Sequence, residues 1–247
     1  MTAVTTSPSA TPAMVTAIEP GALEKTLRTL KLSGMLETIE ARLSQARAGE
    51  LGHIEFLQVL CEDEITRRQA TAITRRLRKA RFDEQVTLEG FDFAAAPKLP
   101  AAQIRDLAAL RWLAAGESVI LYGPVGVGKT HIAQALGHLA IRHGAGVRFL
   151  KTSRALAHLA GGHADLTWHK RLGELARPAV LILDDFAMRE LTAAQADDLY
   201  ELITERARPP ADPDLEPVTS ESALVRANMC KVAAELRHVG VCLACLP

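Results

Sequence analysis

Apolar residues recur at helical spacing from Leu23 onward: Leu23, Leu27 and Leu30, then Met35, Ile39 and Leu43. A break falls at Ser33-Gly34, and Gly49 to Gly52 punctuates the end. Ile54, Leu57, Leu60 and Ile65 predict a third helix with these side chains on one face. Thr87 to Pro100 is a connector with Gly90, Pro97 and Pro100, and its Phe91-Asp92-Phe93 pair reads as a hydrophobic latch between domains. Ala101 to Ala115 is again helical, with Ile104, Leu107 and Leu110 inward and Gly116 ending it. Beyond Gly116 the pattern changes. Ser118-Val-Ile-Leu-Tyr122, Val147-Arg-Phe-Leu-Lys151 and the run from Pro178 to Leu183 are short apolar stretches. They alternate with helical segments at His131 to His143, Thr152 to Leu159 and Leu166 to Leu175. Thr152-Ser153 is placed to cap the second of these and Gly161-Gly162 to end it. Strands alternating with helices predict an α/β fold with a parallel sheet and helical crossovers.

Composition fits one α/β domain plus a smaller unit: 247 residues, 48% hydrophobic, with 29 basic and 29 acidic side chains. Zero net charge does not by itself argue for a nucleic-acid partner. Residues 1–20 are Thr, Ser, Ala and Pro with hardly a charge, and read as a disordered lead. The first lysine is Lys25 and no apolar run reaches a membrane-spanning length, so no membrane partner and a cytoplasmic location are expected. Cys61, Cys230, Cys242 and Cys245 are few enough for reduced thiols, and Cys242-x-x-Cys245 has no second pair or nearby His at zinc spacing. His131, His138, His143, His163 and His169 share no metal spacing and read as surface residues.

The chemistry concentrates at Gly123-Pro124-Val125-Gly126-Val127-Gly128-Lys129-Thr130, a glycine-bounded loop between an apolar run and an amphipathic helix. Glycines let the backbone turn tightly with several N–H groups pointing inward, and the helix N-terminus adds about half a positive charge on its axis. Phosphate oxygens suit that nest. Lys129 reaches β- and γ-phosphates as a point charge, and the Thr130 hydroxyl is placed to ligate Mg²⁺. The second stretch, Pro178-Ala-Val-Leu-Ile-Leu-Asp184-Asp185, is a doubly buried strand ending in two carboxylates, a Walker B. Asp184 is assigned to Mg²⁺ and Asp185 to polarising a water aimed at the γ-phosphate, with Lys129 assisting. No Asn-Lys-x-Asp follows, which disfavours a GTPase.

Arg67, Arg68, Arg75, Arg76, Arg78, Lys79 and Arg81 extend the third helix with no acid between Arg67 and Phe82. Such a row attracts a phosphate backbone without reading sequence. A solvated face, or cations serving a helix C-terminus, is the other account.

Gly123 to His131, Thr152-Ser-Arg-Ala-Leu156 and Leu181-Ile-Leu-Asp-Asp-Phe186, with helices from Leu23 to Phe82 ahead of them, resemble an IstB-like transposition helper ATPase. This is the AAA+ partner of an insertion-sequence transposase, similar to the bacterial helicase loader. The resemblance runs from about Leu23 to Arg206. It implies a P-loop NTPase core at 87–208 behind a helical domain at 21–86, and an ATP-dependent oligomer that binds and deforms duplex DNA with its transposase. It also implies ATP held by Gly123 to His131, with Mg²⁺ on Thr130 and Asp184. Many AAA+ proteins carry Glu where Asp185 stands. A helicase-loader ATPase and a non-catalytic nucleotide- or DNA-binding remnant are the alternatives.

After Arg206 the pattern departs. The family's next element is an apolar strand ending Thr-Ser-Asn, then a helical lid with an arginine finger, whereas Pro209-Pro-Ala-Asp-Pro-Asp-Leu-Glu-Pro217 cannot form a buried strand. Read from the second base, codons for Pro209 to Glu216 permit Arg-Arg-Leu-Ile-Leu-Thr-Ser-Asn. A frameshift near Arg206 to Pro209 therefore accounts for residues 209–247 as an aberrant, poorly ordered tail, and a natural divergent tail is the alternative. Either way the expected sheet is incomplete, open between the strand before the phosphate loop and the Asp184 strand, and ATP hydrolysis is expected to be impaired. The encoding DNA tests the frameshift directly.

Overall fold

In the computed structural model, which describes residues 21–93, 99–186, 188 and 190–207 with the backbone alone of 239–245, the chain divides into two units after Thr71. The lead at 1–20 and the segment 208–238 lie outside the described residues.

The first unit comprises α1 (Ala22–Thr29), α2 (Ser33–Arg47) and the start of α3 (His53–Ala80). Its helices meet through polar groups as well as leucines. Gly34 N–H donates to Glu64 Oε2 at 2.6 Å, and Arg42 donates to both carboxylate oxygens of Asp63 at 2.9 Å. A Cβ at Gly34 would lie 2.9 Å from Glu64 Cα, so only glycine admits this approach. Leu27 and Leu60 are buried, but Ile54, Leu57 and Ile65 are exposed. Of the four apolar residues noted on one face of α3, only Leu60 is buried. At 3.6 residues per turn, Leu60, Asp63, Glu64 and Arg67 share the side that meets α2, and Ile54 and Ile65 lie round the helix from it.

The second unit is a four-stranded sheet between two helical layers. Its strands are β1 (Val119–Tyr122), β2 (Val147–Lys151), β3 (Val180–Asp184) and β4 (Val239–Cys245), in the order β1-β4-β3-β2. β2 and β3 pair in parallel from Val147↔Val180 to Lys151↔Asp184. β4 pairs antiparallel with both β1 and β3, so it occupies the middle position where the sequence predicted an opening. A strand at 239–245 also departs from the poorly ordered tail expected there. Val239-Gly-Val-Cys-Leu-Ala-Cys245 is apolar throughout, as a central strand requires.

β3 is buried along its whole length and divides the core. Val180 and Ile182 pack with α6 (Lys129–Arg142) and α4 (Ala101–Ala108), while Leu181 and Leu183 pack with α7 (Thr152–Ala164), α8 (Trp168–Ala176) and α9 (Ala193–Arg206). The helix expected over Ala101 to Ala115 is split, because Leu110 adopts φ +55° and α5 (Arg111–Ala114) restarts beyond it. Gly161-Gly162 does not end α7 but lies inside it. A Cβ at Gly162 would lie 2.7 Å from Trp168 Cα, so these glycines let α8 approach. Thr192 caps α9 reciprocally with Gln195. At the other end of α9 the buried Arg206 donates to the carbonyls of Ala176 and Pro178, each at 2.8 Å, fixing the turn into β3.

Candidate functional site

β1 and β3 flank β4 and run in the same direction, so the loop after β1 and the carboxylates ending β3 emerge at one edge of the sheet. Gly126 and Gly128 take φ of +83° and +90°, a conformation that side-chain-bearing residues rarely adopt. Gly128 is the residue before α6, whose 14 residues aim their N-terminus into the loop. The ring of Phe91 covers this point, 3.3 Å from where a Gly128 Cβ would stand, and meets His131 edge-on at 5.0 Å between centroids. The aromatic latch therefore closes over the loop within one unit, not between domains. His131 is half-buried, and its Nε2 has no hydrogen-bond partner among the described residues, which corrects the surface reading for that ring.

Lys129 curls back over the loop. Its Nζ donates to Gly123 O at 2.9 Å and Pro124 O at 2.6 Å, partners that satisfy the ammonium until stronger acceptors arrive. Thr130 Oγ1 donates to Asp184 Oδ1 at 2.9 Å. Asp184 is buried, and burial pushes its carboxyl above the ordinary range against the pull of the Thr130 hydrogen bond. Thr152 caps nothing; its hydroxyl donates to Asp184 O at 2.9 Å and fixes the end of β3 from the other side.

Asp185 differs from its neighbour. It is half-exposed at φ +53°, and its Oδ2 lies 3.1 Å from Nζ of Lys151, the last residue of β2. That hydrogen bond raises the lysine's pKa. A cavity of about 520 Å³ opens beside Asp185, which lines it with Thr152, Ser153, Leu156 and Gln195 among others.

Thr130 and Asp184 bring two hard oxygen donors together, a set that fits Mg²⁺, which takes one or two protein ligands and completes its shell with waters and phosphates. The loop, Lys129, Thr130, Asp184 and Asp185 thus lie together at this end of the sheet. Sequence reasoning missed Lys151 as the partner of Asp185. The signal was available, since β2 and β3 in parallel register place strand-end residues side by side.

The seven cations of α3 and its C-terminal turn divide: two are ion-paired, four line a cleft, and Arg75 is in neither group among the described residues. Arg67 and Arg68 ion-pair with Glu64 at 3.2 and 2.6 Å, so the row is not without a compensating carboxylate; the acid stands one turn upstream. Arg76, Arg78, Lys79 and Arg81 line a cleft along β2.

Residues 25–211 match the family described as IstB-like ATP binding protein. The chain is 68% identical over 186 residues to Rv3427c of Mycobacterium tuberculosis, named as an ATP-binding protein in an insertion sequence, covering 75% of this chain and 74% of that one. It is 35% identical to the ATP-binding protein of insertion sequence IS21 from Pseudomonas aeruginosa, over 74% of this chain and 69% of that one. A third similar protein, from insertion sequence IS1162 of Pseudomonas fluorescens, is 34% identical over 73% and 79% of the two chains.

Proposed function

This chain belongs to the IstB-like ATP-binding family, and from that premise we propose that it is the cytoplasmic magnesium-ATP-binding helper of an insertion-sequence transposase, acting on duplex DNA. The observation that carries the nucleotide reading is the hydrogen bond from Thr130 to Asp184, which joins the end of the phosphate loop to the strand-end carboxylate. The relatives' names, all drawn from insertion sequences, favour transposition over helicase loading.

On nucleotide entry Lys129 exchanges the carbonyls of Gly123 and Pro124 for phosphate oxygens, and the N-terminus of α6 supplies further N–H donors. Thr130 and Asp184 would hold Mg²⁺, which would supply charge neutralisation at the phosphates. Phe91 excludes water from the Gly128 turn. Asp185 orients the attacking water once Lys151 releases it. ATP drives self-association, and the cations of the second unit contact DNA phosphates without reading bases. Hydrolysis is slow, because the segment after Arg206 reads Pro209 to Pro217 where the family carries a strand ending in Asn and an arginine finger; loss of such a finger costs about 10³- to 10⁵-fold in rate.

Uptake of a fluorescent ATP analogue tests the reading. The intact chain binds it with Mg²⁺, and Lys129→Ala weakens binding roughly 10- to 150-fold, the effect of losing about 1.5 to 3 kcal/mol of charged hydrogen bonding. No uptake by the intact chain, or equal uptake by Lys129→Ala, overturns it.

A further inference from the structure

β2 is one of the two edge strands of the sheet, and a cleft of about 990 Å³ runs along it. The end of α3 and the turn after it bring Arg76, Arg78, Lys79 and Arg81 to its wall. β2 adds Arg148 and Lys151, and the helices beyond add Arg154 and Arg177. Against these stand two carboxylates, Asp83 and Glu174, and Glu174 already lies 3.4 Å from His158. Among the described residues no carboxylate comes within ion-pairing distance of Arg76, Arg78, Lys79, Arg81, Arg154 or Arg177. Arg148 is held below its ordinary pKa by burial and by the like charge of Arg81. Cations crowded this way repel one another until an anion joins them.

We propose that this cleft seats the phosphate backbone of duplex DNA, and that seating it draws Lys151 away from Asp185. Arginine predominates, and its planar fork grips phosphate oxygens in pairs. Of the two rings that line the cleft, Phe149 is buried and His158 lies 3.4 Å from Glu174, so neither is a free stacking platform for unpaired bases and the backbone of a duplex is the better fit. Lys151 belongs to both places: it lines the cleft and its ammonium touches Asp185. Both members of that pair are half-exposed, so water and salt loosen it and an arriving phosphate competes for the lysine. Freed of its cation, the Asp184–Asp185 end of β3 carries more negative charge and attracts Mg²⁺ more strongly. The coupling rests on the nucleotide reading above; the phosphate track does not.

The test uses the full chain and a fluorescent 20-base-pair duplex. Arg148→Gln with Arg177→Gln weakens duplex binding about tenfold and flattens the slope of log affinity against log salt by about two. Its circular dichroism melt serves as the folding control, and Lys79→Gln with Arg81→Gln repeats the measurement should that variant not fold. Affinity unchanged in both pairs, with a loss confined to Arg67→Gln and Arg68→Gln, overturns the track. Equal displacement of the duplex by a polyglutamate peptide of similar charge assigns the cleft to an acidic protein segment and overturns it too. For the coupling, the Mg²⁺ concentration giving half-maximal binding of the ATP analogue falls several-fold when duplex is saturating, and Lys151→Met removes that dependence. A midpoint indifferent to duplex, or a shift that survives Lys151→Met, overturns the coupling. Failure of the analogue to bind at any duplex concentration instead sinks the nucleotide reading and the coupling with it, while the duplex titration still decides the track.

Discussion

Thr130 and Asp184 stand 54 residues apart in sequence and share a 2.9 Å hydrogen bond at the end of the sheet where β1 and β3, separated by β4, both terminate. Burial raises the Asp184 carboxyl above its ordinary value of 3.8. An acid raised in the folded state adds stability below the unfolded pKa and loses it as pH rises through the folded one. At neutral pH the ionised side chain therefore costs stability in the nucleotide-free protein. Asp184→Asn keeps an acceptor for Thr130 and should raise the thermal midpoint at pH 7 but not in acid. The same change should raise the Mg²⁺ needed for ATP-analogue binding by at least about tenfold. A lowered midpoint at pH 7 would contradict this account.

Gly128→Ala places a Cβ at φ +90° and 3.3 Å from the Phe91 ring. Backbone strain at such a position costs about 1 to 3 kcal/mol. Urea denaturation should show that loss, and pairing the change with Phe91→Ala should recover only the ring-contact part of it. Full recovery in the double variant would mean that the turn itself is unstrained.

Glu64 collects the N–H of Gly34 and the guanidinium groups of Arg67 and Arg68. Burial opposes ionisation, yet these three donors hold its pKa down to about 2, from 4.5. The sign here is the reverse of Asp184: the stabilisation is complete above pH 4.5 and disappears as pH falls toward 2. Circular dichroism across that window should record loss of helix signal from the first unit. Glu64→Gln should lower the signal's stability at pH 7 and remove that part of the acid transition; an unchanged acid profile would refute the assignment.

Arg206→Met removes donors to the carbonyls of Ala176 and Pro178 while keeping most of the apolar volume. Buried acceptors left without partners cost about 1 to 3 kcal/mol each. An unfolding free energy reduced by roughly 3 kcal/mol is expected from urea denaturation, and one within about 0.5 kcal/mol of the parent would show that the turn into β3 holds without it.

The glycine-bounded loop from Gly123 to Thr130 and the strand that ends at Asp184 were legible as elements, because glycines after one apolar run and carboxylates at the end of another mark the ends of strands. β2 and β3 were legible because a doubly covered strand is a plain apolar run. The orientation of α3 was not: Ile54, Leu57 and Ile65 fit helical spacing, but which side meets α2 is decided by Gly34 and the carboxylates of Asp63 and Glu64. Gly161-Gly162 reads as a stop in one dimension and is a contact surface for α8 in three. The cleft along β2 escaped notice for a related reason, since Arg148, Arg154 and Arg177 are unremarkable singly and become a site only when folding brings them to the end of α3.

β4 joins the strand entering the phosphate loop to the strand ending at Asp184, and it runs against both. An unfoldase gripping the chain beyond Cys245 would first part Cys245 from Val180 and Leu243 from Val119, then travel up the ladder pair by pair. Val241, opposite Asp184, and Val239, opposite Tyr122, would be released last. The end of the sheet that carries the Gly123 to Thr130 loop and Asp184 is thus the part that yields latest to traction from beyond Cys245, and a nucleotide held there, as proposed above, would add its own resistance just where the peeling finishes.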